Sequence, residues 1–247
     1  MENRVYAKKI DVQAEKIKNF YDKRAVQCLS GDKTRNTTVL LGDKNPSYAD
    51  DWNQFEKNFV LPYLNTGDNC SILDIGCGVG RWAETLAPIC KDYIGVDFSE
   101  QMVKVASAHF ADKHNMKFIH NSFQGIFAED DIGSRKFDSV IIAGVSMYIN
   151  EKDLAECFAQ LGDLLKPGAV VYMEESVGVR ERLTLNNIWS EALNDNYAAI
   201  YRTKEEYLYL LKPLLDKCDI IGENYFNNLD KKELSETSHW YIIVKVK

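Results

Sequence analysis

The sequence predicts an α/β fold in which helices cover both faces of a mostly parallel, doubly wound sheet. From Ser71 onward, short apolar runs of strand length alternate with longer stretches of helical spacing. The apolar runs are continuous, as expected for strands that crossover helices bury on both faces. A chain of 247 residues, 45% hydrophobic and 27% charged, is long enough to bury one such core. We therefore expect a single domain covering residues 1–247.

Two amphipathic helices are predicted before the sheet. Residues 12–28 carry apolar side chains at roughly helical spacing, and a polar loop over 31–46 follows them. A second helical pattern runs from about residue 47 to 64. We expect residues 1–66 to form a helical cap on a core that spans 67–176.

Five strands and their crossover helices are predicted within that core. The strands are the runs SILDIG, YIGVDF, KFIHN, FDSVIIAG and AVVYMEES. Helical patterns fall between them at about residues 81–89, 100–112 and 152–165. The turn Lys166-Pro167-Gly168 ends the last of these helices, so the order is a repeated strand–helix–strand unit.

The alternation breaks after Ser176, where we expect a helical insertion over residues 177–204 on the substrate side. Residues 205–247 then begin with a helix to about residue 218 and end in the runs DIIGENYF and SHWYIIVKVK. About eleven polar residues join these runs, enough for a hairpin but too few for a helical crossover. The two runs should therefore pair antiparallel, completing a seven-stranded sheet with an antiparallel C-terminal strand.

Composition and charge exclude several classes of function. No apolar run approaches the roughly 20 residues that span a bilayer, and the charged N-terminus lacks the apolar region of a signal peptide, so we expect a cytoplasmic protein without a membrane partner. A net charge of -7 argues against a nucleic-acid surface. The six cysteines contain no Cys-x-x-Cys, so neither a disulfide framework nor a metal site is predicted.

A glycine-rich turn follows the first core strand in the run Leu73-Asp74-Ile75-Gly76-Cys77-Gly78-Val79-Gly80. Glycines let the backbone approach a ligand closely, and the N-terminus of the following helix offers unpaired N–H groups. A dinucleotide-binding turn would carry its third glycine at position 81, where this chain has Arg81. The pattern therefore disfavours an NAD-dependent oxidoreductase.

This motif resembles the first motif of class I S-adenosylmethionine-dependent methyltransferases. The likeness extends through Asp97 at the end of the next strand, the FD-x-hydrophobic strand at Phe137 and the LKPG turn at Lys166. It covers about residues 71–176. It implies a Rossmann-like fold, S-adenosylmethionine as methyl donor and S-adenosylhomocysteine as product.

The resemblance also implies roles for individual residues around the cofactor. Asp97 would accept hydrogen bonds from both ribose hydroxyls, while Phe98 and Met102 flank the adenine. The family's acidic residue after the third strand is replaced here by Ser122, so the adenine contact passes to its hydroxyl and to Phe123. The predicted cofactor-binding residues are Tyr21, Asp74, Gly76, Cys77, Gly78, Asp97, Phe98, Met102, Ser122, Phe123 and Ala143.

The acceptor is expected at the carboxyl ends of the parallel strands, to which an antiparallel last strand returns His239. Methyl transfer needs the nucleophile held in line, and a hydroxyl acceptor also needs a base. We predict His239 as that base, Glu175 as its partner or alternative and Tyr148 as a positioning group; the competing interpretation is that His239 only caps a strand. The predicted substrate-side residues are Tyr48, Trp52, Arg180 and Tyr201.

The segments FYDKRA and SHWYIIVK are loosely similar to methyltransferases of bacterial natural-product and surface-polysaccharide pathways. This likeness predicts O-methylation of a sugar hydroxyl, including that of a nucleotide-activated sugar, within carbohydrate biosynthesis. N-methylation of a small amine and a non-catalytic S-adenosylmethionine-binding module remain alternatives. We expect a small-molecule substrate and a monomer or homodimer.

Overall fold

The computed structural model describes residues 3–226 and 236–247. Its strands are β1 (Arg4–Tyr6), β2 (Gly67–Ile75), β3 (Cys90–Asp97), β4 (Met116–His120), β5 (Phe137–Ala143), β6 (Leu165–Gly178), β7 (Leu183–Ser190), β8 (Asp195–Tyr201), β9 (Cys218–Tyr225) and β10 (Thr237–Val246). Its α-helices are α1 (Ala14–Leu29), α2 (Arg35–Leu40), α3 (Pro46–Val60), α4 (Ala83–Leu86), α5 (Glu100–His109), α6 (Asp130–Gly133), α7 (Glu151–Leu161), α8 (Lys204–Leu210) and α9 (Lys212–Leu215).

The central sheet has seven strands in the order β4-β3-β2-β5-β6-β10-β9. Adjacent strands of this sheet are parallel except at β10, which is antiparallel to both β6 and β9. The structure thus confirms the doubly wound sheet with an antiparallel C-terminal strand. The strand order reverses between β2 and β5, and ligands of such sheets bind at this switch point.

The continuous apolar runs correspond to strands buried on both faces. Leu73 and Val140 face one core cluster, which includes Phe158 of α7. Their neighbours Ile72 and Ile141 face the other cluster, which includes Trp52 of α3. Both faces of β2 and β5 therefore need apolar side chains, and an alternating pattern would not serve here.

The segment between β6 and α8 is not the helical insertion that we predicted. β7 and β8 pair as an antiparallel hairpin, and β1 joins β7 to make a separate three-stranded sheet. The pairing register shifts between Leu185 and Ile188, and Asn187 adopts φ 57°. This bulge interrupts the period-2 pattern that would have indicated a strand.

The N-terminal cap contains the two predicted helices, α1 and α3, and also a short one that we predicted as loop. α2 begins after Thr34, whose hydroxyl accepts a hydrogen bond from the Thr37 N–H at 3.1 Å, a typical N-cap. α1 packs against α5 and β8. The Ser99 hydroxyl donates to Asp22 of α1 at 2.5 Å, which ties the cap to the core.

Two predicted helices are broken in the structure. The pattern over 81–89 forms the short α4 and a 3-10 turn (Ala87–Ile89), and the one over 205–218 divides into α8 and α9. Pro88 and Pro213 stand at the start of the second piece in each case, since proline cannot donate an N–H to the preceding turn. No helix in the described ranges is long and apolar enough to cross a bilayer.

Candidate active site

A cavity of about 180 Å³ lies at the carboxyl edge of the sheet, where the strand order reverses. The segments that follow β2, β3, β4 and β5 form its floor, and Tyr21 of α1 and Val39 of α2 border it from the cap. Of the predicted cofactor residues, the cavity is lined by Tyr21, Gly76, Gly78, Asp97, Phe98, Met102, Ser122, Phe123 and Ala143.

The glycine turn after β2 forms part of that floor, where Gly76 and Gly78 present only backbone atoms because glycine has no side chain. Gly76 and Gly78 have φ of 75° and 53°, a region that favours glycine. A Cβ at Gly76 would lie 2.1 Å from a methyl carbon of Val145, and one at Gly78 would lie 2.5 Å from a methyl carbon of Val39. Glycine is therefore required at both positions by conformation and by space.

Asp97, at the end of β3, is held by two backbone groups. Its carboxylate accepts hydrogen bonds from the N–H groups of Gly78 and Ser99, both at 2.9 Å. Burial raises the pKa of Asp97 to about 6, so the carboxylate predominates at neutral pH. Each oxygen retains a second lone pair, and the side chain lines the cavity, so it can accept from a ligand hydroxyl.

Ser122 lines the cavity but also has a structural task. Its hydroxyl accepts a hydrogen bond from the Gly125 N–H at 3.1 Å, which closes the turn after β4. Four polar residues that the sequence analysis did not single out border the same cavity: Asn121, Gln124, Asn150 and Asp153. Asp153 lies in the first turn of α7, and no local motif marks it, because the packing of α7 beside β5 brings it there.

Two tyrosines from different elements meet at the cavity wall. The Tyr21 hydroxyl donates to the Tyr148 hydroxyl at 2.6 Å, and the Tyr148 and Tyr197 hydroxyls lie 2.7 Å apart. Burial raises the pKa of Tyr148 and of Tyr197 well above the usual range. These phenols stay protonated at neutral pH, so they position a ligand through hydrogen bonds and are poor general bases.

Glu175 lies in the core and does not line the cavity. Its carboxylate accepts hydrogen bonds from the N–H groups of Val145 (3.1 Å), Ser146 (2.7 Å) and Met147 (3.2 Å). Burial raises its pKa to about 8. Both oxygens accept from the backbone, so Glu175 holds the turn that carries Tyr148.

Arg202 holds the same turn from its carbonyl side. The fully buried guanidinium donates to the carbonyl oxygens of Ser146 at 2.9 Å and Ile149 at 2.6 Å. Glu175 and Arg202 together satisfy N–H and C=O groups of one tight turn. They fix the position of Tyr148 relative to the cavity.

His239 and Glu174 form a pair one strand away from the cavity. His239 Nδ1 lies 2.7 Å from Glu174 Oε1, and the imidazole packs on Trp52 with ring centroids 4.2 Å apart. Glu174 is the register partner of Ala143. Ala143 lines the cavity, but His239 and Trp52 do not line it. Glu174 and Glu175 face opposite sides of the sheet, and His239 pairs with the former, not with the predicted Glu175.

Two predicted cofactor residues lie in the core. Asp74 accepts a hydrogen bond from the Tyr93 hydroxyl, and burial raises its pKa to about 7. The Cys77 side chain packs against the backbone of Gly95, where a Cβ would lie 2.9 Å from the sulfur. These two side chains pack beside the glycine turn and do not line the cavity.

Three predicted substrate-side residues also lie off the cavity. Tyr48 is on α3 near Gly42, and Arg180 is exposed in the loop between β6 and β7. Tyr201, at the end of β8, hydrogen-bonds to Tyr197 and so extends the tyrosine chain away from the cavity.

Arg81 attaches the cap to the glycine turn. Its guanidinium forms a buried ion pair with Glu56 of α3, and the Tyr172 hydroxyl donates to the same carboxylate at 2.8 Å. The residue that separates this turn from the dinucleotide-binding pattern therefore has a structural partner. The sequence did not predict the role of Glu56, because no local motif connects it with Arg81, which lies 25 residues later.

The cavity as a whole suits a nucleoside with a polar chain. It offers bare backbone, a buried carboxylate for hydroxyl groups and apolar side chains for an aromatic base. In the described part of the chain, His, Cys, Asp and Glu form no cluster of three that could hold a metal ion.

Residues 72–168 match a protein family described as a methyltransferase domain. Demethylmenaquinone methyltransferase of Staphylococcus saprophyticus is 30% identical over 120 residues, which is 47% of this chain and 49% of that protein. Phosphoethanolamine N-methyltransferase 1 of Caenorhabditis elegans is 22% identical over 167 residues, or 68% of this chain and 32% of that protein. The chain thus spans half or less of the length of these relatives.

Solved structures share the fold over nearly the whole chain. A S-adenosylmethionine-dependent methyltransferase of Leishmania major has a TM-score of 0.66 at 16% identity, over 93% of this chain and 82% of that one. Phosphoethanolamine N-methyltransferase 1 of Haemonchus contortus, solved with phosphoethanolamine and S-adenosylhomocysteine, has a TM-score of 0.65 at 17% identity, over 95% and 49%. These likenesses establish the fold.

Proposed function

We propose that this chain, whose residues 72–168 match a methyltransferase-domain family, is a class I S-adenosylmethionine-dependent methyltransferase that binds S-adenosylmethionine in the cavity and methylates a small polar acceptor. The observation that carries the proposal is the position of Asp97 beside the Gly76 and Gly78 turn, at the switch point of the sheet. Asp97 would accept from the ribose hydroxyls, and the turn and Ala143 would hold the methionine part.

The chemistry that S-adenosylmethionine supplies is a methyl group on a positively charged sulfur. The protein's task is then to exclude water and to hold the acceptor in line with that methyl group. Tyr21 and Val39 close the cavity from the cap side. Tyr148, fixed by its turn, positions the acceptor through its hydroxyl.

Calorimetric titration of S-adenosylmethionine, S-adenosylhomocysteine and NAD tests the cofactor assignment. We expect micromolar binding of the first two, weakened at least tenfold in Asp97→Ala, because a hydrogen bond to a charged group contributes about 1.5–3 kcal/mol. Asp68→Ala, at an exposed position of β2, serves as the matched control and should bind normally. Binding of NAD alone would overturn the proposal.

For the acceptor, we propose a sugar hydroxyl. The support is the His239–Glu174 pair, in which a carboxylate orients an imidazole on the Ala143 side of the sheet. In this scheme His239 takes the hydroxyl proton while the oxygen bonds to the methyl carbon. The carbon–sulfur bond breaks, and S-adenosylhomocysteine leaves with the bonding electrons.

A small amine is the second candidate. The two tyrosines on the cavity wall, Tyr21 and Tyr148, position well but are poor bases, and an unprotonated amine needs only positioning. Among the similar proteins, those of Caenorhabditis elegans and Haemonchus contortus are named as N-methyltransferases.

His239→Ala separates the two candidates. General-base catalysis contributes typically 10²–10⁴-fold, so O-methylation should fall at least about 100-fold while N-methylation changes little. His114→Ala, at an exposed position, is the control. Turnover is measured as S-adenosylhomocysteine released with sugar and with amine acceptors. Near-normal O-methylation by the variant would remove His239 as the base.

A further inference from the structure

A second cavity, of about 210 Å³, lies between the cap and the tip of the β7–β8 hairpin. It is lined from α1, from the loops on either side of α2 and from the turn after β7. Phe20 borders it, and the next residue, Tyr21, borders the cavity at the carboxyl edge of the sheet, which we call the cofactor cavity. We call it the anion cavity, and its charged lining residues are Lys23, Arg24, Lys33, Asp43 and Asp195.

The anion cavity holds more positive than negative charge. Arg24 Nη1 lies 3.0 Å from Asp43 Oδ2, and Lys33 pairs with the other oxygen of the same carboxylate. One carboxylate cannot neutralise two cations, and both cationic side chains are largely buried, at 3% and 16% exposure. Burial and the neighbouring Arg24 lower the pKa of Lys33. A bound anion would relieve this crowding of like charges.

Arg24 is already fixed in place. Its guanidinium donates to the carbonyl oxygens of Thr38, at 2.8 Å, and Thr37, and it lies over the Phe20 ring at 5.4 Å. Guanidinium groups suit phosphate because of their planar, multiple N–H donors. A cation that is already ordered loses little entropy when it binds a ligand.

Lys23 supplies a movable cation at the mouth. It pairs with Asp195 of the hairpin at 3.0 Å, but its side chain is 63% exposed. Exposed ion pairs of this kind contribute little stability, so Lys23 can turn toward a ligand at small cost.

We propose that the anion cavity binds the phosphate group of a small phosphate ester. This cavity is separate from the cofactor cavity, so the inference goes beyond the proposed function. The Phe20 ring packs edge-on against Tyr21 and Tyr197, with centroids 5.1 and 5.5 Å away. One aromatic layer therefore separates the anion cavity from the tyrosines at the wall of the cofactor cavity.

The test measures binding by calorimetry with S-adenosylhomocysteine present. The probes are glucose 1-phosphate and phosphoethanolamine, each compared with its dephosphorylated form, glucose or ethanolamine. We expect at least one phosphate ester to bind tenfold or more tightly than its partner. Whichever ester binds identifies the source of the phosphate, a sugar or an amine.

Variants locate the binding in the anion cavity. Lys33→Ala and the exposed Lys23→Ala should each lose most of the preference for the phosphate ester, whereas Lys91→Ala, an exposed lysine of β3, should keep it. Equal binding of glucuronate would overturn the assignment to phosphate. If the wild-type chain binds S-adenosylhomocysteine but shows no preference for the phosphate esters, this inference alone is overturned. If the wild-type chain does not bind S-adenosylhomocysteine at all, the proposed function is overturned.

Discussion

At Asp97, burial and hydrogen bonding act on one carboxyl group in opposite directions. Burial raises its pKa to about 6, while the N–H groups of Gly78 and Ser99 favour the charged form. Protonation would place a donor where the ribose hydroxyls of the proposed cofactor need an acceptor. The affinity for that cofactor should therefore depend on pH in a mildly acidic range.

We expect S-adenosylhomocysteine to bind about tenfold more weakly at pH 5 than at pH 7.5, because below the raised pKa of Asp97 most of the carboxyl is protonated. Calorimetry across that range checks this. Asp97→Asn should bind weakly at every pH, with little pH dependence of its own. Equal affinity of the wild-type chain at both pH values would contradict the expectation.

Most of the predicted cofactor-binding residues line one cavity, because they follow consecutive strands. Gly76, Asp97 and Ala143 each stand at a strand end that topology brings to one edge. The pair that we propose for the acceptor side was harder to predict, because it joins distant segments: Glu174 and His239 are 65 positions apart. Adjacent residues of β6 also alternate in direction, and the sequence alone did not show which glutamate faces His239.

At the scale of elements, the attachment of α3 to the glycine turn depends on a buried ion pair. Glu56 and Arg81 are both shielded from water, and Glu56 also accepts from Tyr172. Removing one partner of a buried pair leaves an uncompensated charge.

Glu56→Gln should lower the free energy of unfolding by about 3–5 kcal/mol, since Arg81 would stay buried without a counter-charge. Urea denaturation measures this change. Lys104→Ala, which breaks an exposed ion pair with Glu100, is the control and should change stability by about 0.5 kcal/mol or less. A Glu56→Gln effect as small as the control would mean that α3 is held by apolar packing alone.

The strands of the central sheet could be predicted from the sequence, whereas the three-stranded sheet of β1, β7 and β8 could not. The difference has a physical reason. β2 and β5 are buried on both faces, so their composition alone marks them. β7 has a bulge at Asn187, and β1 is three residues long and gains its structure only by pairing with β7. Such elements depend on tertiary contacts.

At the scale of the whole molecule, the cofactor cavity joins the cap to the core. Tyr21 and Val39 line it from the cap, and Gly78 and Asp97 line it from the core. A ligand that contacts both parts stabilises their association by mass action, by about 2.7 kcal/mol at 100 times its Kd.

We expect S-adenosylhomocysteine to slow amide hydrogen exchange in α1 and α2 as well as in the turn after β2, because all three line the cavity in which we propose that it binds. Exchange followed by mass spectrometry with and without ligand provides the measurement. Asp97→Ala should show no such protection at the same ligand concentration. Protection confined to the core would show that the cap does not contact the bound ligand.

The place of β10 in the sheet bears on how the chain folds during synthesis. β6 leaves the ribosome with an open edge that only β10, about sixty residues later, covers, and β9 is joined to the sheet solely through β10 within the described strands. Until then an apolar strand edge is available for pairing with other chains. Nascent chains stalled after β9 should therefore aggregate or recruit chaperones, even though every strand from β2 to β6 is already in place.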